Sequence, residues 1–199
     1  MSTGRELFST MALGRMPDRI PFIPTIYEHA AHYIGSTPSQ VAANGKLLVA
    51  GQLACYERYR QDLVSVGLDI YNIECEALGA EVEYWDNSDL PSVKQIVLED
   101  PGDLHGLSVP DPEKAARMPM LLDATEQVHR AIGHEVIVNG AVVGPFTLAA
   151  ILRGFENFIV DLLTDPEYAA ALMEFAMTAK PFPRKNSSMS SCWSAAKVG

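Results

Sequence analysis

From Asp18 to Ala179 the chain alternates short strand-like runs with longer helical ones, and no hairpin signal joins two strands apart from a detour through Ala80–Trp85. Parallel strands need crossover connections, which are usually helical, so this order calls for a parallel sheet: a doubly wound sheet or part of a (β/α) barrel. No G-x-G-x-x-G follows the first strand-like run, which weakens a dinucleotide-binding sheet and favours the barrel.

The local signals are explicit. Thr3 and Glu6 form a capping box ahead of Leu7, Phe8, Met11 and Ala12, and Gly14 supplies a stop. Asp18–Ile26 reads as a strand, although Pro21 and Pro24 each remove a ladder donor. Thr37-Pro38-Ser39-Gln40 is a second capping box, whose helix pauses at Asn44-Gly45 before a longer helix over 46–60. Asp62–Ile70 has the length and branched residues of a buried strand. It is followed by a short helix ending at Gly79 and the strand Ala80–Trp85. Pro110–Glu113 reads as the start of a helical region that breaks near Pro119 and ends at Gly133. Glu135–Gly144 is the clearest strand; helices over 145–163, interrupted at Gly154, and after Asp165-Pro166 complete the pattern.

In a barrel, reactive groups gather at the carboxyl ends of the strands. Three polar clusters fall there: Glu28, His29 and His32; the run Asp69, Tyr71, Asn72, Glu74 and Glu76; and Thr147. Asp69 and Glu74 are the candidate catalytic carboxylates, with Glu74 suited to general-base work or to orienting a ligand. Glu28, His29, Tyr71, Asn72 and Thr147 are candidate substrate contacts. Blander roles compete: Tyr71 and Asn72 capping the turn into the short helix, Thr147 capping the next helix, and Arg153 pairing with Glu156 on the surface. His105, His129 and His134 read as surface residues, and Met118 and Met120 as core filling.

Composition narrows the class of partner. A net charge of −10 with pI near 4.9, and no stripe of Lys or Arg, argues against nucleic acid and against an anionic membrane surface. No run approaches the roughly 18 apolar residues of a spanning helix, and the amino terminus lacks a signal-peptide core, so a cytoplasmic protein is expected. Cys55, Cys75 and Cys192 form neither a disulfide framework nor a CxxC site; Cys55 reads as a buried hydrophobe, and Cys75, beside the polar run, keeps a functional reading. His29 and His32 lack a third ligand, and no metal site is expected among these residues.

Three segments, Arg5–Phe22, Gly67–Trp85 and Val143–Ala176, together resemble the amino-terminal part of the uroporphyrinogen decarboxylase superfamily. The resemblance runs from about Arg5 to Ala179. It implies a (β/α)8 TIM barrel, here its amino-terminal half with parallel strands and crossover helices. It also implies one of two chemistries. Decarboxylases of porphyrin biosynthesis carry an R-Q-A-G-R stretch after the first strand, whose guanidinium forks grip a polycarboxylate; here that place holds Ile26–Gly35 with Glu28 and His29 instead. The family's acidic residue near the end of the second strand matches Asp69 with its spacing to Ala77-Leu78-Gly79 changed by one.

The run Leu68–Tyr84 looks closer to the branch that moves a methyl group from a corrinoid protein to a thiol such as coenzyme M. That branch implies zinc, which makes a thiolate at neutral pH, and a corrinoid partner. Its His-x-Cys and later Cys ligands belong to a carboxyl-terminal half that has no counterpart in this sequence.

From Lys180 the resemblance stops. The segment 180–199 is basic, rich in Ser and without Asp or Glu, and is expected to be a disordered tail. The expectation is therefore a domain over 1–179 that is a fragment of a methyltransferase, left by a shifted reading frame or a misplaced gene end, inactive alone and prone to self-association through unclosed barrel edges. A decarboxylase and a non-catalytic assembly subunit are the alternatives.

Overall fold

A computed structural model describes residues 2–67, 69–85 and 90–179; the expected tail over 180–199, with Cys192, lies outside them. In chain order the described elements are α1 (Gly4–Ala12), α2 (Tyr27–Tyr33), α3 (Pro38–Ala42), α4 (Gly45–Tyr59), β1 (Leu63–Val66), α5 (Ile73–Ala77), β2 (Val82–Glu83) and β3 (Ser92–Val93). A 3₁₀ turn (Pro101–Gly106), α6 (Met118–Ile132), β4 (Ile137–Gly140), α7 (Pro145–Arg153), α8 (Phe155–Thr164) and α9 (Pro166–Thr178) follow. The described residues divide into two units, one of residues up to 67 with 120–141, the other of 69–119 with 142–179.

The first unit is built on the parallel pair β1–β4, registered Leu63 to Ile137 through Val66 to Gly140. Ser65 Oγ donates to Asn139 Oδ1 across the pair at 2.9 Å. Val64 and Val66 are buried, as are Leu48, Cys55, Leu121 and Val128 of the same unit. Both expected capping boxes form, at Thr3 with Glu6 and at Thr37 with Gln40, and Asn44 caps α4 through Lys46 N and Leu47 N. Only the first turn of α1 packs, because Leu7 is buried while Met11 is exposed.

The strand expected over Asp18–Ile26 does not form. Pro21 and Pro24 have no N–H, so main-chain pairing to the segment before β1 shrinks to one bond, from Asp62 N to Phe22 O at 2.9 Å. Side-chain chemistry replaces the ladder. The Asp62 carboxylate accepts Phe22 N at 2.7 Å and both arms of the Arg19 guanidinium, at 2.5 and 2.6 Å. Gly4 belongs to the same junction, since a Cβ there would collide with the Asp62 main chain.

In the second unit, β2 and β3 pair antiparallel, Val82 with Val93 and Glu83 with Ser92. Leu98, Leu148, Leu152, Phe158 and Leu172 form its core. The break between α7 and α8 falls at Gly154, as expected, with φ of 82°. A side chain there would also press on Ile96 Cδ1 at 2.7 Å. Asp165 caps α9 by accepting Tyr168 N.

Two further expectations are corrected. The helix expected from Pro110 begins only at Met118; Asp111–Ala115 closes turns on its own main chain, and Ala116 takes φ of 44°. Pro119 accordingly stands in the first turn of α6, where a missing N–H costs nothing, and does not break a helix. Among the described residues the parallel sheet has two strands.

Candidate functional site

The second unit buries four titratable or amide side chains of the polar run within a few residues of each other: Asp69, Asn72, Glu74 and Cys75. Asn72 stands at the N-cap of α5, yet its side chain does not cap. Its amide donates instead to Asp69 Oδ1 and to Pro91 O, the latter at 2.6 Å. The capping reading of Asn72 is therefore replaced by a cross-link between the Asp69 turn and the approach to β3.

Sequence reasoning missed the residue that organises this cluster. Arg117 Nη2 lies 2.7 Å from Asp69 Oδ2, and its Nε donates to Glu76 Oε2 at 2.5 Å. Its guanidinium stands 5.3 Å from the centre of the Tyr84 ring. Arg117 is 41 positions from Glu76, in a run read only as helical, so nothing local marked it. The signal was the unmet need of two apposed carboxylates for a cation.

Burial raises the Asp69 carboxyl above its ordinary range, with Arg117 and Asn72 opposing. Burial pushes Glu74 up to about 7; the Val143 N–H, donated to Glu74 Oε1 at 3.0 Å, opposes this, and the nearby Asp69 charge adds to it. Cys75 is fully buried and its thiol is pushed up to about 12, by burial first and then by Glu74 and Asp69. The Cys75 thiol donates to Tyr71 O at 3.4 Å. A thiol held that firmly protonated is a poor nucleophile and a poor metal ligand.

Tyr71 turns outward, with half its surface exposed. Thr147 sits in the first turn of α7, whose N-cap is Gly144 with no side-chain cap, so its expected capping role is absent. It lines an open cavity of about 400 Å³ with Lys94, Gln95, Ile96, Phe146 and Phe155. Arg153 is buried and pairs with Asp161 at 2.7 Å, not with Glu156. It also donates to the carbonyls of Leu98 and Glu99.

Glu28 and His29 belong to the first unit, on α2. Glu28 is half-buried; His29 is exposed, with Nε2 2.8 Å from Tyr59 Oη and its ring packed near those of Tyr33 and Tyr59. Among the described residues no three His, Cys, Asp or Glu side chains are placed to hold a metal ion. Among them, too, no helix is long and apolar enough to cross a membrane.

The sequence pattern of the family described as Uroporphyrinogen decarboxylase (URO-D) matches residues 3–180. The methylated-thiol–coenzyme M methyltransferase of Methanosarcina mazei is 27% identical over 180 residues, covering 88% of this chain and 47% of its own. The methylcobamide:CoM methyltransferase MtbA of Methanosarcina acetivorans is 31% identical over 117 residues, covering 57% of this chain and 33% of its own. A solved methyltransferase from Methanosarcina mazei superposes with a TM-score of 0.78 at 22% identity, over 90% of this chain and 53% of its own. The chain thus spans about half the length, or less, of the relatives it matches.

Proposed function

The chain belongs to the uroporphyrinogen decarboxylase (URO-D) family, and from that premise we propose that it is the amino-terminal part of a (β/α) barrel that moves a methyl group from a corrinoid protein to a thiol. The observation that carries this reading is the likeness, along 88% of the chain, to a protein named for methylated thiols and coenzyme M. A second relative named for methylcobamide supports the corrinoid side.

Asp69 and Glu74 take the roles of catalytic carboxylates. Asp69, tied to Arg117, is the fixed negative group. Glu74, balanced near neutrality, is suited to take up the proton that a thiol loses on methylation. Tyr71, Asn72, Thr147, Glu28 and His29 remain the proposed substrate contacts. Zinc would supply a thiolate in such a reaction, but the described residues offer no ligand set that fits it, and no step here is assigned to it.

The decarboxylase reading needs free guanidinium groups for a polycarboxylate. The place where they would stand, Ile26–Gly35, holds no arginine, which counts against it. A non-catalytic assembly subunit is favoured by one feature: Phe155, Val160 and Leu163 leave an exposed apolar face on α8, suited to self-association or to a complementary chain.

The test is to isolate the polypeptide from its source cells with whatever co-purifies. Transfer of methyl from methylcob(III)alamin to 2-mercaptoethanesulfonate is then assayed beside decarboxylation of uroporphyrinogen. Methyl transfer is expected. Decarboxylation overturns the reading, and neither activity, with a stoichiometric partner recovered, moves the assembly subunit ahead.

A further inference from the structure

The first unit holds two fully buried glutamines, Gln52 on α4 and Gln61 just before β1, at no more than 1% exposure. Both ends of both amides find no hydrogen-bond partner among the described residues. Such groups are rare in protein interiors, because each amide brings two N–H donors and a carbonyl acceptor that must be satisfied once water is stripped away. The two glutamines share one small cavity of about 40 Å³, whose wall also includes Ile23, Thr25 and Ser65. A water molecule needs at least roughly 10–15 Å³ of such space, takes about 30 Å³ in the liquid and makes two to four hydrogen bonds, so the cavity suits one or two waters in both size and chemistry.

We propose that Gln52 and Gln61 form a binding site for internal water, which ties the proline-bearing segment Ile23–Tyr27 to α4 and β1. The segment is the one whose strand ladder fails because Pro21 and Pro24 lack donors. Along it, direct main-chain pairing gives way to side chains at Phe22, where Asp62 takes over. One step further on, where Thr25 lines the cavity, amide-bound water does the same work. The wall is polar at the two glutamines, Thr25 and Ser65 and apolar at Ile23, Leu63 and Val64, so the buried amides are the polar groups there left without a partner. Because the segment leads directly into α2, this water sets where Glu28 and His29 stand. The proposal does not depend on the methyltransferase reading.

Deuterium and oxygen-17 magnetic relaxation dispersion on the full chain counts long-lived internal water. The Gln52→Leu/Gln61→Leu double variant is expected to lose one or two such waters while keeping its far-UV circular dichroism spectrum. An unchanged count in a folded double variant overturns the site. Should that variant fail to fold, a high-resolution crystal map of the unaltered chain decides. Density bonded to both amides with water geometry upholds the site. Amides bonded directly to each other or to main chain, or density with the closer and more numerous oxygen contacts of a cation, overturns it.

Discussion

Glu74 Oε1 accepts the main-chain N–H of Val143 at 3.0 Å, a buried bond that joins α5 to the turn entering α7. The carboxyl making it is pushed up to about 7 by burial, so the folded chain holds a proton there that the unfolded chain releases near 4.5. The native state then binds more protons between those values, and stability falls as pH rises from about 4.5 to about 7, staying low above that. Asp69, raised in the same direction, adds to the slope.

Glu74→Gln keeps an acceptor for Val143 without a charge. The variant should match the parent near pH 4.5 and exceed it above pH 7, by at most about 3 kcal/mol. Thermal melts across that range are the measurement; a parent profile that rises from acid to neutral pH, with no gain in the variant, would contradict the burial of an ionisable Glu74.

Removing Arg117 leaves two carboxylates facing each other with no cation between. Arg117→Leu is expected to cost about 3–5 kcal/mol in urea unfolding, the usual penalty for stranding a buried charge. Arg117→Lys should recover little, since a single ammonium lacks the fork that serves Asp69 and Glu76 at once. Full recovery by lysine would show that charge alone, not geometry, holds the cluster.

Arg153 offers a paired comparison. Arg153→Ala loses the Asp161 ion pair and the donors to Leu98 O and Glu99 O, and should destabilise by about 3–5 kcal/mol. Glu156→Ala should change stability by less than about 0.5 kcal/mol, as surface substitutions do. Equal losses in the two variants would restore the surface pair expected from sequence.

Cys55 and Cys75 are both fully buried, and burial raises both thiols. Neither should be alkylated by iodoacetamide in the folded chain at neutral pH, and both should be modified in denaturant, read position by position by mass spectrometry. Rapid native labelling of Cys75 would revive its functional reading.

Much of the backbone was legible because its signals are local. Thr3 with Glu6, Thr37 with Gln40, Asn44, Gly154 and Asp165 each act within three or four residues, and each does in the structure what its spacing implies. The failures were of two kinds. Asp18–Ile26 has the composition of a strand, but its two prolines leave too few donors to make one. Pro110–Glu113 looked like a helix start, but the helical run gathers only where Met118 can reach the core.

The cluster was half visible. Asp69, Asn72 and Glu74 were recognisable as polar groups in an apolar run, whereas Arg117, Pro91 O and Val143 N reach them only through the fold. Distance along the chain hides a partner even when chemistry demands one. Arg153 taught the converse, since a neighbour at the right spacing, Glu156, lost to Asp161, which faces it from the same helix pair.

The junction at Asp62 has a consequence for time as well as for place. Gly4, Arg19 and Phe22 all converge on that one residue, so the start of α1, the proline-bearing segment and the entry to β1 open together or not at all. The amide hydrogens of Phe22 and Asp62 should therefore exchange with solvent as slowly as those of the strand beside them, in a stretch that by its hydrogen-bond pattern is only coil.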